Sequence, residues 1–247
     1  MFFIFDYSDN WRVGNKWFWF IRHSYEMIIF MDKKYCVMNI LIMAFLLLGC
    51  TPRATVEILQ GDLLYSTTFD SPLRWDTQQQ GAVSIGVADG AYRMTADVNQ
   101  FVMGFGVGAY TDVVILVDVN QLSAHPENAY GVACRASIAE GSTNGYYFLI
   151  GGDGTTSLRI GKVGEMKPII AWQTTPLVND GVAVNRLKVI CVGDYLALYV
   201  NDNLLYEMRD STYASGYVGF LVAAETGSVV EIAFDNLFVY EGHIGGE

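Results

Sequence analysis

From residue 62 onward, apolar and polar residues alternate with the period of β-strands and not with that of helices. In "YLALYVND" (195–202), Leu196 and Leu198 fall on one face of a strand and Ala197 falls on the other, and Asn-Asp then supplies a turn. Similar segments follow one another at spacings of about 8–12 residues with turn residues between them, which is typical of sandwiches and barrels. The pattern predicts an all-β domain.

The N-terminal part carries a different pattern. An uncharged apolar run fills residues 38–50 and follows Lys33 and Lys34. A membrane-spanning helix needs about 20 apolar residues, so basic residues before a shorter run favour a cleaved signal peptide. The run ends in "LLGC", which resembles the bacterial lipobox, and this predicts lipidation of Cys50. The alternative is a buried core segment that ends in an ordinary cysteine.

The position of this signal suggests how the precursor is divided. Met31 opens a complete signal (31–49), so residues 1–30 are interpreted as an upstream extension from a wrongly assigned start codon, or else as an additional membrane segment. Residues 50–61 are predicted to form a lipidated tether. The β-domain is then expected over 62–241, with a tail at 242–247.

Charge excludes one class of partner. Removing residues 1–49 takes away five basic and four acidic residues and leaves 10 Lys and Arg against 22 Asp and Glu, a net charge of −12. Nucleic-acid binding needs clustered basic residues, and no basic stripe occurs in the sequence. The mature chain is therefore not expected to bind nucleic acid.

Two cysteines follow Cys50. Cys134 and Cys191 form an even pair in a chain predicted to be exported, which favours a disulfide. In the chain-entropy model the bridge would contribute about 4 kcal/mol to stability. The alternative is a pair of buried free thiols.

Several segments of the second half resemble one superfamily. "YYFLIGGDGTTSLRIGKV" (146–163), "LYVND", "GYVGF" and "FDNLFVY" are similar to the concanavalin A-like lectin/glucanase superfamily, in particular to its laminin-G-like branch related to 3-keto-disaccharide hydrolases. The resemblance implies a two-sheet antiparallel jelly-roll sandwich with a concave face that often holds a glycan. Lectins, glycosidases, adhesion modules and scaffolds all use this fold, so the fold does not choose between them.

The glucanase carboxylate motif E-x-D-x-x-E is absent. Asp112 and Asp118 share a strand face but are predicted to lie nearly 20 Å apart, and Glu231 and Asp235 about 13 Å apart. Retaining hydrolysis needs about 5–5.5 Å between the two carboxyl groups. A pair drawn from neighbouring strands stays open.

Aromatic residues are the candidates for a carbohydrate site, because sugar rings stack on their faces. Trp75 has polar neighbours in "PLRWDTQ", so we expect it to be exposed, with Arg74 and Asp76 beside it as hydrogen-bonding groups. Trp172 is a second candidate. The alternative is that these aromatic rings belong to the core.

Asp70 and Asp235 are candidate ligands of a structural Ca²⁺, since many jelly rolls bring the first and last strands together and use carboxylate oxygens there. The alternative is that both aspartates cap turns.

The sequence thus predicts a lipid-anchored protein on the extracytoplasmic side of the cell envelope. Its expected role is non-catalytic binding of a glycan or another surface polymer. A glycoside-processing hydrolase, or an adhesion module with a protein partner, are the alternatives.

Overall fold

The computed structural model describes residues 54–71, 74–97, 100–225 and 227–246. The predicted extension, the signal peptide and Cys50 lie outside these ranges. The described residues group as one compact unit. Within the described ranges every regular element is a strand, and no helix there could cross a membrane.

Fifteen strands make up the described chain. Their bounds are β1 Ile58–Thr67, β2 Gln78–Gln80, β3 Val83–Ala88, β4 Ala91–Ala96, β5 Val102–Tyr110, β6 Val113–Gln121, β7 Ala129–Ala136, β8 Gly145–Gly151, β9 Thr155–Lys162, β10 Glu165–Thr174, β11 Val184–Val192, β12 Tyr195–Val200, β13 Asn203–Arg209, β14 Gly216–Ala223 and β15 Val230–Ile244.

The strands form two antiparallel sheets. The nine-stranded sheet has the order β13-β12-β11-β6-β15-β4-β3-β2, with β1 paired to β15, and the six-stranded sheet has the order β10-β9-β8-β7-β14-β5. This confirms the predicted all-β sandwich of two antiparallel sheets.

Alternation along the strands explains why the sheets pack. In β12, Leu196 and Leu198 belong to the interior between the sheets, whereas Ala197 lies on the outer face of the nine-stranded sheet. The same alternation in the other strands fills one continuous core. Its burial is the main favourable term for folding.

The domain boundaries differ from the prediction at both ends. The tether was predicted for 50–61, but Ile58–Gly61 belong to β1. The tail was predicted for 242–247, but Gly242–Ile244 belong to β15. Segment 54–57 packs on the outer face of the nine-stranded sheet, where the backbone N–H of Thr55 donates to both carboxylate oxygens of Glu207 at 3.0 Å. The periodicity did not reveal this, because a single short segment has no partner that can be inferred from its sequence.

The two cysteines face each other across the interior. Cys134 of β7 and Cys191 of β11 are fully buried and disulfide-bonded in the structure, with Cα atoms 6.9 Å apart. The bridge therefore links the central strands of both sheets.

Thiol counting tests this pairing. A fragment of residues 54–247, denatured without reductant, is expected to show no reactive thiol and to show two after reduction. The matched Cys134→Ala and Cys191→Ala variant should lose about 2–5 kcal/mol of unfolding free energy, because the unfolded chain is no longer constrained. Two reactive thiols before reduction would establish the free-thiol alternative.

Part of the core is an aromatic cluster. Trp75 stacks on Phe220 at 5.0 Å between ring centroids and lies 4.8 Å from the ring of Tyr92. Its backbone bridges to Gly106 of β5, and a Cβ at Gly106 would lie 2.8 Å from the indole ring. The glycine is therefore needed for the close approach of the indole to the strand.

Gly106→Ala should destabilise the domain by about 1–3 kcal/mol, because the added methyl overpacks the indole. In a Trp75→Phe background the same substitution should cost less, since the clashing ring atoms are gone. Urea unfolding of the four proteins measures both values. Equal costs in the two backgrounds would show that the indole does not set the requirement for glycine.

Candidate functional site

A groove runs over the outer face of the six-stranded sheet. Beneath it lies a cluster of residues from central strands that are buried although they point away from the core; these are Ala133, Ala136, Tyr147, Leu149 and Leu221. Above them pack Phe101, Met103 and Phe105 from one edge of the sheet and Met166 from the other. Side chains from the two edges thus cover the residues in the middle of this face.

A glycine in β14 lets the ring of Phe105 lie close to the sheet. Gly219 of β14 pairs with Phe105 of β5, and a Cβ at Gly219 would lie 2.4 Å from the Phe105 ring. The ring therefore lies across the strand at this point.

Arg159 of β9 is held between two aromatic rings. Its guanidinium carbon lies 6.0 Å from the ring centroid of Phe101 and 5.8 Å from that of Trp172, which places the cation on both π-faces. Nε is buried and has no hydrogen-bond partner among the described residues. Burial lowers the pKa of Arg159 from its usual value, but an arginine with so high an intrinsic pKa stays charged.

Phe101 divides the groove into two openings, since it lines both. The first is a cavity of about 480 Å³ that contains Arg159, Trp172 and three carboxylates, those of Glu127, Asp153 and Glu225. An aromatic ring beside hydrogen-bonding groups is the arrangement by which a pocket fixes a polar ring-shaped ligand.

The second opening is larger, about 940 Å³. Asp76, Gln78 and Gln80 line one side, and the loop 137–142 lines the other. The Asp76 carboxylate accepts a hydrogen bond from the backbone N–H of Phe105 at 3.0 Å, which fixes this aspartate at the rim.

Two of the four predicted glycan-binding residues line this groove. Trp172 is 39% exposed in the first opening, and Asp76 lies in the second. Arg74 is exposed and has a backbone φ of 81°, next to the undescribed residues 72 and 73.

The expected exposure of Trp75 is wrong. It is only 7% exposed, its faces are covered by Phe220 and Tyr92, and its Nε1 donates to the Tyr65 hydroxyl at 3.1 Å. Its polar neighbours Arg74 and Asp76 are exposed while the indole points inward, so their polarity does not extend to the tryptophan side chain. No face of this ring is free to stack on a sugar.

Asp70 and Asp235 each make a local hydrogen bond. The Asp70 carboxylate accepts from the Thr68 hydroxyl at 2.6 Å, and that of Asp235 accepts from the backbone N–H of Asn236 at 2.6 Å. Among the described residues no group of three or more His, Cys, Asp or Glu side chains could hold a metal ion. Ca²⁺ binding by this pair stays a prediction.

A carboxylate pair on neighbouring strands does exist, but on the face opposite the groove. Asp118 of β6 and Asp235 of β15 are register partners. Burial opposes the charge on Asp118, but hydrogen bonds from Arg186 and Asn236 outweigh it and hold the pKa of Asp118 below its usual value. A carboxylate held in the charged form by an arginine is poorly suited to act as a general acid.

Proteins of known structure share this architecture. No protein-family model matches the sequence, and no curated protein matches it. Solved structures do match: the carbohydrate-binding module CBM66 from Bacillus subtilis has a TM-score of 0.56 at 18% identity and covers 71% of this chain and 97% of its own. A B. subtilis protein of unknown function with a galectin-like fold has a TM-score of 0.57 at 15% identity, with coverage of 75% and 99%.

An endo-β-1,3-glucanase from Pyrococcus furiosus is also similar, with a TM-score of 0.56, 10% identity and coverage of 76% of this chain and 99% of the enzyme. These likenesses agree with the observed sandwich of two antiparallel sheets. The domain is a concanavalin A-like jelly roll. At such low identities the likeness concerns the fold and carries no residue roles.

Sequence reasoning missed Phe101, Arg159 and the three carboxylates of the groove. A signal was present for Arg159, because it stands between the apolar residues Leu158 and Ile160 in a strand, so its side chain had to leave the core. The carboxylates come from three separate loops, and no spacing in the sequence shows that these loops meet.

Proposed function

We propose that the groove of this jelly roll binds a glycan without catalysis. The observation that carries the proposal is the arrangement of Trp172 and Arg159, where a partly exposed indole lies beside a guanidinium in the lining of the same opening. An indole stacks on the apolar face of a sugar ring, and guanidinium N–H groups donate to ring and hydroxyl oxygens. The similarity of the fold to that of CBM66 supports this reading.

The carboxylates at the same opening suit a hydroxyl-rich ligand. Glu127, Asp153 and Glu225 can accept hydrogen bonds from sugar hydroxyls. Three carboxylates against one guanidinium repel a polyanionic chain, so a neutral glycan fits this site better than a sulfated or uronic one.

The test is glycan-array binding by residues 54–247, with and without Ca²⁺. This fragment contains both sheets and the whole core. Trp172→Ala should weaken binding of the glycan found by about two- to tenfold, since aromatic stacking contributes about 0.5–1.5 kcal/mol. Val182→Ala, which removes an exposed apolar residue away from the groove lining, is the matched control and should bind normally.

The outcomes separate the alternatives. A requirement for Ca²⁺ would support Asp70 and Asp235 as ligands. Silence of a folded sample across the array would overturn the proposal and favour an adhesion module with a protein partner.

Glycoside hydrolysis is the second candidate, because Glu127, Asp153 and Glu225 bring three carboxylates to one opening. Incubating the bound glycan with the protein and measuring new reducing ends decides between the two functions. Turnover that disappears in Glu127→Gln or Glu225→Gln would establish the enzyme.

The cellular setting belongs to the same proposal. Acylation of Cys50 would anchor the domain on the extracytoplasmic face of a bacterial membrane. One acyl chain gives only reversible binding, whereas two or more hold a protein stably.

Cys50→Ser tests the anchor. In cells labelled with a fatty-acid analogue, the wild-type chain is expected to carry label and to fractionate with membranes, and the variant is expected to do neither. Cys36→Ser is the matched control, because it lies within the predicted signal and should leave labelling intact. Label on the Cys50→Ser protein would contradict the assignment.

A further inference from the structure

The N-terminal segment leaves the domain on one defined face. Ala54, Val56 and Ile58 pack on outward-facing residues of the nine-stranded sheet, and the Glu57 carbonyl accepts a hydrogen bond from the backbone N–H of Gly245 at 2.8 Å. Together with the bonds from Thr55 to Glu207, these contacts fix the segment against the sheet. The chain therefore enters the domain across the face opposite the groove.

The chain length then limits where an anchor can lie. Four Cα–Cα steps separate Cys50 from Ala54, so these two Cα atoms are at most about 14 Å apart. The two sheets of a sandwich alone stack about 10 Å apart, without the side chains on their outer faces. The segment between Cys50 and Ala54 is thus barely long enough to extend past the sandwich, so a lipid on Cys50 is poorly placed to hold the groove side of the domain against a bilayer.

The same face carries an exposed apolar side chain beside half-buried aromatic ones. Leu63 of β1 is 51% exposed and is the register partner of Tyr240; its neighbour Leu64, at a shift in the β1–β15 register, is 46% exposed. The ring of Phe238 stacks 6.2 Å from that of Tyr240. Tyrosine and other amphipathic side chains are favoured at the lipid–water interface.

The basic side chains on this face are already engaged. Arg93, Arg186 and Arg209 each pair with a carboxylate, and the Lys188 ammonium lies 3.8 Å from the ring centroid of Tyr199. Because Glu207 and Asp235 add negative charge on the same sheet, contact with lipid would rest on the apolar patch and not on attraction to anionic lipids.

From these observations we propose that the outer face of the nine-stranded sheet is the surface that the domain turns to the lipid bilayer. The groove on the six-stranded sheet then opens away from the membrane, towards polymers in the surrounding space. This orientation rests on the proposed lipidation of Cys50 and does not depend on which glycan the groove takes.

The test uses the full lipidated protein in phosphatidylcholine vesicles that contain a nitroxide-labelled lipid. One variant, Ser66→Cys, carries a fluorophore beside Phe238, and the other, Glu140→Cys, carries it on the groove rim. The fluorophore at 66 is expected to lose intensity through contact with the nitroxide, whereas the one at 140 keeps its intensity. Replacing Leu63 and Leu64 by Ser should reduce the loss at 66, and Ile138→Ser on the groove side should not.

Flotation of the vesicles separates the two ways of failing. If the protein floats with the vesicles but the fluorophore at 140 is quenched as strongly as that at 66, the orientation is overturned while the anchor stands. If the protein does not float, the anchor fails, and the orientation fails with it. Residues 54–247 without the lipid should show no quenching at either position.

Discussion

A buried guanidinium ties one end of the sandwich together. Arg135 is 2% exposed and donates to the carbonyl oxygens of Thr111, Gly193 and Tyr213 and to the carboxylate of Asp112. A buried charge is tolerated only when its hydrogen-bonding groups are satisfied. The three loops that supply these acceptors are therefore held in place by one side chain, and they connect strands from both sheets.

The backbone conformation at Arg135 is unusual for a residue other than glycine. Its φ is 52°, and Cys134 and Arg135 together stand opposite Val218 where the pairing of β7 with β14 shifts. Such a β-bulge bends a strand and redirects its side chains. Here it sends the arginine to the end of the sandwich while the adjacent Cys134 enters the core. The arginine that holds the three loops and the cysteine that bridges the two sheets are thus adjacent residues of β7, a strand that lies beneath the groove.

Local periodicity was enough to predict the fold class, because successive residues of a strand point to opposite faces, with Leu196 and Leu198 towards the core and Ala197 towards the outer face. It was not enough for the site. Trp75 was misjudged because polar neighbours say nothing about where an indole points, and its burial depends on Gly106, a residue distant in sequence. Trp172 and Arg159 come together only through the β9–β10 pairing, and Phe101 only through the order of the whole sheet.

The two outer faces of the sandwich differ in how their apolar side chains are covered. Each exposes apolar side chains that a monomeric domain must cover or use. On the nine-stranded sheet, segment 54–58 covers Ile190, Tyr195 and Ala197, so part of the face is closed by the chain itself. On the six-stranded sheet, side chains from the edges cover the central residues instead, and two openings remain beside Phe101. These openings, the first of which contains the fixed Arg159, are therefore the part of the domain that is suited to an external ligand.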